Sequence, residues 1–385
     1  APGLGVLILG NSVFQGVGTA FLIPPVYILT TMAFTSLESR AKAFGVISGM
    51  GGIGAAAGPL IGGLITSGIS WRAAFVFQAL IVGTILLLSR RVADPVAPDP
   101  TRPFDATGAF LSAVGMFFLV LGILQAGVNN KLLVVFLALG AAFLSGFFVY
   151  IRARQRAGKE PLLSLDLFKN RTSNLGLITQ NLQWLLLMGV SFTVSVFLQT
   201  ERHYSAIKTG VIFTAATLGI LASSLAAARL AKKYFQKTLI AAGFGATVVG
   251  VGLLVGLVKA ASSSAWAFAP GLLLIGLGVG VMLTPSVNLV QSAFPDQQQG
   301  EISGLSRSIS NLGSSFGTAI AGTILVSDLV SGNGTYVAAM IVLAVLAAVG
   351  LGVALLLPPN PLQVPATDVA PSPARPPGAI DTSYG

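Results

Sequence analysis

The run from Gly45 to Gly63, GVISGMGGIGAAAGPLIGG, carries no charge and sets glycine at 45, 54, 58, 62 and 63, with proline at 59. Polar and apolar residues do not alternate in it, so it is no half-buried strand, and so much glycine would make a weak helix in water. In lipid the same residues have a use. Glycine on one face lets the backbone of a second helix come close, and van der Waals packing is what holds helices together there. Pro59 removes one backbone donor and permits a local bend. The spacing G-x8-G-x3-G-P-x2-G-G therefore reads as the contact face of a membrane helix.

The rest of the chain agrees. Of its 385 residues, 54% are apolar and 9% charged, and the mean hydropathy is +0.85, so the chain as a soluble domain would leave far too much apolar surface in water. The net charge of +10 raises nucleic acid as a partner, but Lys and Arg gather in short segments between apolar runs, which is the pattern of cytoplasmic loops. There is no Cys and a single His, His203, which excludes disulfides, thiolate metal sites and His clusters. No metal or other cofactor is expected. Gly49, Gly51 and Gly54 fit a dinucleotide fingerprint, yet they lie inside an apolar run with no strand before them. No phosphate-binding G-x-x-x-x-G-K motif and no nucleophile–base pair occur, so enzyme activity is not expected.

A helix needs about 20 apolar residues to cross about 30 Å of hydrocarbon. Such runs lie at 5–30, 43–67, 72–89, 106–127, 132–151, 173–198, 208–229, 238–258, 267–292, 302–326 and 335–357. The expectation is an all-α membrane protein with about eleven transmembrane helices. If 31–42 is cytoplasmic, basic residues concentrate inside, and only Arg72, Lys131, Arg202, Lys208 and Lys259 fall outside, with Arg307 within a span. That bias puts the C-terminus in the cytoplasm. The chain opens on an apolar run at Ala1, and the odd number of spans suggests that earlier helices are missing. The loop 90–105, with Pro95, Pro98, Pro100 and Pro103, reads as a stiff connector. PLLSLDLF (Pro161 to Phe168) reads as an amphipathic piece on the inner leaflet, and the Pro-rich tail 358–385 as disordered.

The first two helices resemble the ninth and tenth. Gly16, Gly18, Pro25, Ala33 and Phe34 match Gly276, Gly278, Pro285, Ala293 and Phe294 at a constant offset of 260, and after a one-residue slip Gly45, Gly54, Gly58 and Gly63 match Gly304, Gly313, Gly317 and Gly322. Duplicated halves place a substrate cavity at their interface, opened to either side by rocking of one half against the other. The matched helices stand two spans further apart than a six-helix half needs. The division expected is thus 1–89 as the remainder of an N-terminal bundle, 90–171 as a connector with two extra helices, 172–357 as a C-terminal six-helix bundle, and 358–385 as the tail. By the same count, three helices are missing from the first half.

The glycine pattern resembles the antiporter motif of the major facilitator superfamily. SVFQGVG (Ser12 to Gly18) is similar to that family's fourth-helix motif, and Ser70-Trp71-Arg72 to the turn before its sixth helix. PLLSLDLF and FLQTERHYSAIKTG (Phe197 to Gly210) look like its fourteen-span drug/proton antiporter branch, with this chain covering about helices four to fourteen. The resemblance implies a two-bundle transporter fold and a proton gradient as energy source. Ser12 departs from the family's pattern, standing where the resemblance leads one to expect an Arg implicated in proton coupling. Gln78 and Leu80 replace the usual Asn and Pro, and Arg229 to Lys237 fits the basic loop motif only loosely.

Buried polar groups in lipid are costly without a partner and so are candidates for function. No Asp or Glu lies deep in any of the eleven runs; Asp105, Glu301 and Asp328 stand at their ends. Asn11 and Gln15, followed by Thr19, share a face of the first helix. Gln180, Gln183 and Trp184, with Asn181 beside them, form a patch on the sixth, and Thr284, Asn288 and Gln291 one on the ninth. These are candidates for lining a substrate cavity, or for bonding one helix to another. Arg307, with Asn311 four residues on, either reaches the inner surface near Glu301 or forms a gating pair. His203 reads as a solvated loop residue.

The leading expectation is a monomeric exporter of small amphipathic or cationic molecules in a bacterial plasma membrane, driven by proton antiport. A dedicated metabolite exporter of the same fold and a non-transporting membrane sensor or scaffold are the alternatives.

Overall fold

The computed structural model describes residues 3–34, 37–92, 104–126, 128–259, 264–295, 298–327 and 332–358. Pro95, Pro98, Pro100 and Pro103, Asp328 and the tail beyond 358 lie outside these. The described chain is helical wherever an apolar run was expected. Helix α1 comprises Leu4–Ile8, a π-helical turn Leu9–Phe14, and Gln15–Ala33. Then follow α2 (Leu37–Gly68), α3 (Trp71–Ser89), α4 (Ala106–Leu124), α5 (Asn130–Arg156) and α6 (Arg171–Val196), which ends in a π turn, Phe197–Glu201. The last five are α7 (Ala206–Lys233), α8 (Gln236–Lys259), α9 (Ala269–Gln291), α10 (Gln299–Val326) and α11 (Asn333–Leu355). Ten described helices are long and apolar enough to cross a membrane. The eleventh, the glycine-rich α2, runs for 32 residues.

Side chains that accept from the free N–H groups of the first turn fix where several helices begin. Ser70 accepts from Ala73 N–H at 3.3 Å ahead of α3, and Asn170 from Ser173 N–H at 3.1 Å ahead of α6. Ser205 accepts from Lys208 N–H at 3.3 Å ahead of α7. Exposed His203 turns the chain between α6 and α7 with φ +51°.

The best-packed region is built from α6 to α11. Leu186, Val190, Phe197, Phe244, Leu272, Met282 and Leu343 form its interior. α7 lies on α9, α9 on α8, and α10 on α6. Glycines permit these approaches: a Cβ at Gly276 would strike the Ala216 carbonyl, and one at Gly317 the Leu185 carbonyl. The hairpin α4–α5 packs on itself and against α10. By contrast α1 and α3 bury nothing within their spans. They present Phe21, Leu80 and Leu87 outward, a pattern that suits lipid or further helices and not water.

PLLSLDLF turns part of its apolar side into the protein. Its last four positions belong to a short 3-10 turn, Leu165–Lys169, in which Leu167 is fully buried against Leu177, Val290, Ile302 and Leu305. Leu163, Leu167 and Phe168 of this connector pack on the protein, where they close one end of the helices α6, α9 and α10. Its backbone is anchored at two points in its first half: Leu162 N–H donates to Asp105 at 3.0 Å and Ser164 N–H to Glu301 at 2.9 Å.

Candidate functional site

A cavity of about 390 Å³ opens between the first three helices and α6, α7, α9 and α10. From α1 come Leu22, Ile23, Val26 and Tyr27, from α2 Ile47 and Gly51, and from α3 Ile85. The opposite wall carries the polar groups: Gln180, Gln183 and Trp184 of α6, Gln291 of α9, and Ser303, Ser306, Arg307 and Ser310 of α10. A mostly apolar hollow with a few converging polar groups is the usual form of a small-molecule site.

The polar wall is preset by its own hydrogen bonds. The Ser306 hydroxyl donates to Gln180 Oε1 at 2.8 Å, and the Ser303 hydroxyl to Gln291 Oε1 at 3.2 Å. Gln183 Nε2 donates to the Val279 carbonyl at 3.5 Å, at the edge of bonding distance. Gln180 is 1% exposed, yet its Nε2 has no acceptor. Arg307 reaches across to α1, where Nη2 stands 3.4 Å from the Tyr27 hydroxyl and the guanidinium lies 5.7 Å from the ring centroid.

The structure thus brings Gln180, Gln183, Trp184, Gln291 and Arg307 into one cavity. Asn11, Gln15 and Thr19 line a different hollow of about 1640 Å³, formed by α1 and α3 with Trp71, Arg72 and Gln78. They keep one face even though Asn11 falls in the π turn. Asn288 and Asn311 line neither space; Asn288 Oδ1 accepts from the Ser292 hydroxyl at 3.2 Å. Asn181 bonds helix to helix, its Nδ2 donating to the Ile309 carbonyl at 2.9 Å. Arg307 has Tyr27, and not Glu301, as its neighbour.

In the glycine motif, Gly63 touches α7, where a Cβ would come 3.0 Å from the Ala206 carbonyl. Among the described residues, Gly54, Gly58 and Gly62 have nothing within 4 Å of that position. Residue-by-residue reading missed Tyr27 and the serines 303, 306 and 310. The i, i+3, i+7 spacing of those serines was visible in the sequence and marks the face of α10 that carries them.

Residues 1–165 and 176–380 match the Major Facilitator Superfamily. The chain belongs to this family. Its members are membrane transporters and not enzymes, and the chain is a multi-pass membrane protein. Among curated major facilitator relatives, the puromycin resistance protein pur8 of Streptomyces alboniger is 30% identical over 84% of this chain and 64% of its own length. The multidrug resistance protein Stp of Mycobacterium tuberculosis is 27% identical over 86% of this chain and 60% of its own. The chain therefore spans under two thirds of the length of these relatives. Among solved structures, a bacterial homologue of the iron transporter ferroportin in its outward-facing state gives a TM-score of 0.43 at 16% identity, covering 91% of this chain and 92% of that one.

Proposed function

We propose that this chain forms the greater part of a proton-driven exporter of drug-like or amphipathic molecules in a bacterial plasma membrane, working by alternating access. The observation that carries the reading is the cavity itself. Its walls come from helices that the internal repeat assigns to opposite halves, so rocking of the halves would open it to either side in turn. The relatives named for drug resistance favour export over uptake.

The same repeat supports a fourteen-span parent with three further helices ahead of α1. In the second half, Gly276 is filled by α7, Gly278 by α8, and Gly313 and Gly317 by α6. Among the described residues, their first-half counterparts Gly16, Gly18, Gly54 and Gly58 have nothing within 4 Å of an added Cβ. Helices equivalent to α6, α7 and α8 would fill that space. The proposed organisation is a first bundle containing 1–89, an inserted hairpin within 90–171 and a second bundle of 172–357, with the C-terminus cytoplasmic and the protein monomeric. No acidic residue lines the cavity among the described residues, so this reading assigns the proton carrier to the three further helices.

The test is accumulation of a panel of fluorescent acids, amines and neutral dyes in pump-deficient bacteria expressing the chain joined to three such helices. Lower accumulation of at least one dye is expected, with the difference abolished by a protonophore. Export that survives the protonophore would refute proton coupling, and no export of any dye would refute transport.

A further inference from the structure

The charge inside the cavity points to a ligand class other than cations. Arg307 is the one charged side chain lining it among the described residues, and no carboxylate pairs with it there. Its neighbour Tyr27 meets the guanidinium with a hydroxyl and a ring. Beside it Gln180 Nε2, on a side chain 1% exposed, is a donor with no acceptor. The Gln180 oxygen accepts from Ser306, and the Gln291 oxygen from Ser303. Acceptors remain on the polar wall, Gln183 Oε1 among them, but among the described lining residues the one charge is the Arg307 cation and the one buried side-chain group without a partner is the Gln180 donor. Trp184 and the apolar wall of α1 supply flat contact surface to a ring.

We infer that this cavity binds planar aromatic molecules bearing a carboxylate or comparable anionic acceptor, held by Arg307 and Gln180 over Trp184, and that it disfavours organic cations. This rests on the cavity being the substrate site. A guanidinium in a site of low dielectric attracts an anion strongly and repels a cation by a comparable amount. The unmatched Gln180 donor is buried behind the cavity wall and costs free energy there, and a turn of its side chain toward the cavity would let an acceptor brought by the ligand satisfy it.

The test uses the full chain in a phosphate-free maltoside detergent, which excludes lipid headgroups as competitors. Trp71→Phe and Trp266→Phe leave Trp184 as the only tryptophan, and its quenching reports binding. The probes are anthracene-9-carboxylate, its carboxamide and 9-anthracenylmethylammonium. The acid should bind about tenfold or more tightly than the ammonium, with the amide between. Arg307→Gln should erase the acid's advantage and Arg307→Lys should keep most of it. Gln180→Leu should weaken acid and amide and leave the ammonium unchanged. An ammonium that binds as well as the acid, a preference that survives Arg307→Gln, or no quenching by any probe would overturn the assignment. Acid binding without dye export would count against transport and leave this inference standing. Export with no anion preference in binding would do the reverse.

Discussion

Asp105 is 5% exposed at the start of α4 and holds groups from three segments. It accepts from Gly108 N–H and the Tyr150 hydroxyl at 3.0 Å each, and from Leu162 N–H at 3.0 Å. The Arg154 guanidinium stands 3.8 Å away and itself donates to the Glu160 carbonyl at 2.8 Å. Burial pushes this carboxyl up, but those hydrogen bonds and the Arg154 charge outweigh it and hold it below its usual 3.8. A carboxyl lowered on folding adds stability that is complete above that usual value and is lost as pH falls through the lowered one. Asp105→Ala strands three donors and should cost about 2–4 kcal/mol. Thermal unfolding in detergent should show this gap between wild type and variant as constant near neutral pH and narrowing below pH 3.8. A gap unchanged in acid would contradict the clamp.

At the scale of the helix, two equal-looking glycine rows do different work. Gly276 and Gly317 are filled by neighbouring carbonyls, so valine at either should cost about 3 kcal/mol or more, beyond what overpacking usually extracts. Gly58, the repeat partner of Gly317, has nothing within 4 Å, and Gly58→Val in this chain should change stability by about 0.5 kcal/mol or less. Melting temperature and the yield of monodisperse protein separate the two cases. In a chain carrying the three proposed helices, Gly58→Val should become as damaging as Gly317→Val. If it stays harmless there, those helices do not pack where the repeat puts them.

At the scale of the molecule, the two groups of helices meet along two seams: α2 against α7, with Gly63 on the Ala206 carbonyl, and α1 against α10, with Tyr27 beside Arg307. The cavity lies between the seams. Rocking that opens it must lengthen one of them. The chain contains no Cys, and a Cβ at Gly300 of α10 would lie 3.9 Å from Ile28 Cδ1 of α1, so Ile28→Cys with Gly300→Cys gives a clean pair for a short bismaleimide that spares the cavity residues. Cross-linking should occur in the unliganded protein and arrest export in the extended chain, and reagent reacted with either single variant should not. Export by a fully cross-linked pair would exclude opening along the α1–α10 seam.

What the sequence determined was the solvent and the helices, and its repeat is what the proposed two halves rest on. Each of these rests on patterns local to a helix or repeated along the chain: uncharged runs such as Gly45–Gly63, cap residues such as Ser70 and Asn170, and glycine spacings preserved from α1–α2 to α9–α10. The tertiary structure decided which polar residues meet. Gln180 and Arg307 share a cavity because α6 and α10 cross on glycines, while Gln15 faces another hollow and Asn288 is turned to Ser292. It also sent Leu167 of PLLSLDLF into a protein core, with Leu163 and Phe168 packed against it. The physical reason is the same in each case. Helical periodicity fixes which residues share a face, but only the crossing of one helix on another fixes what that face meets.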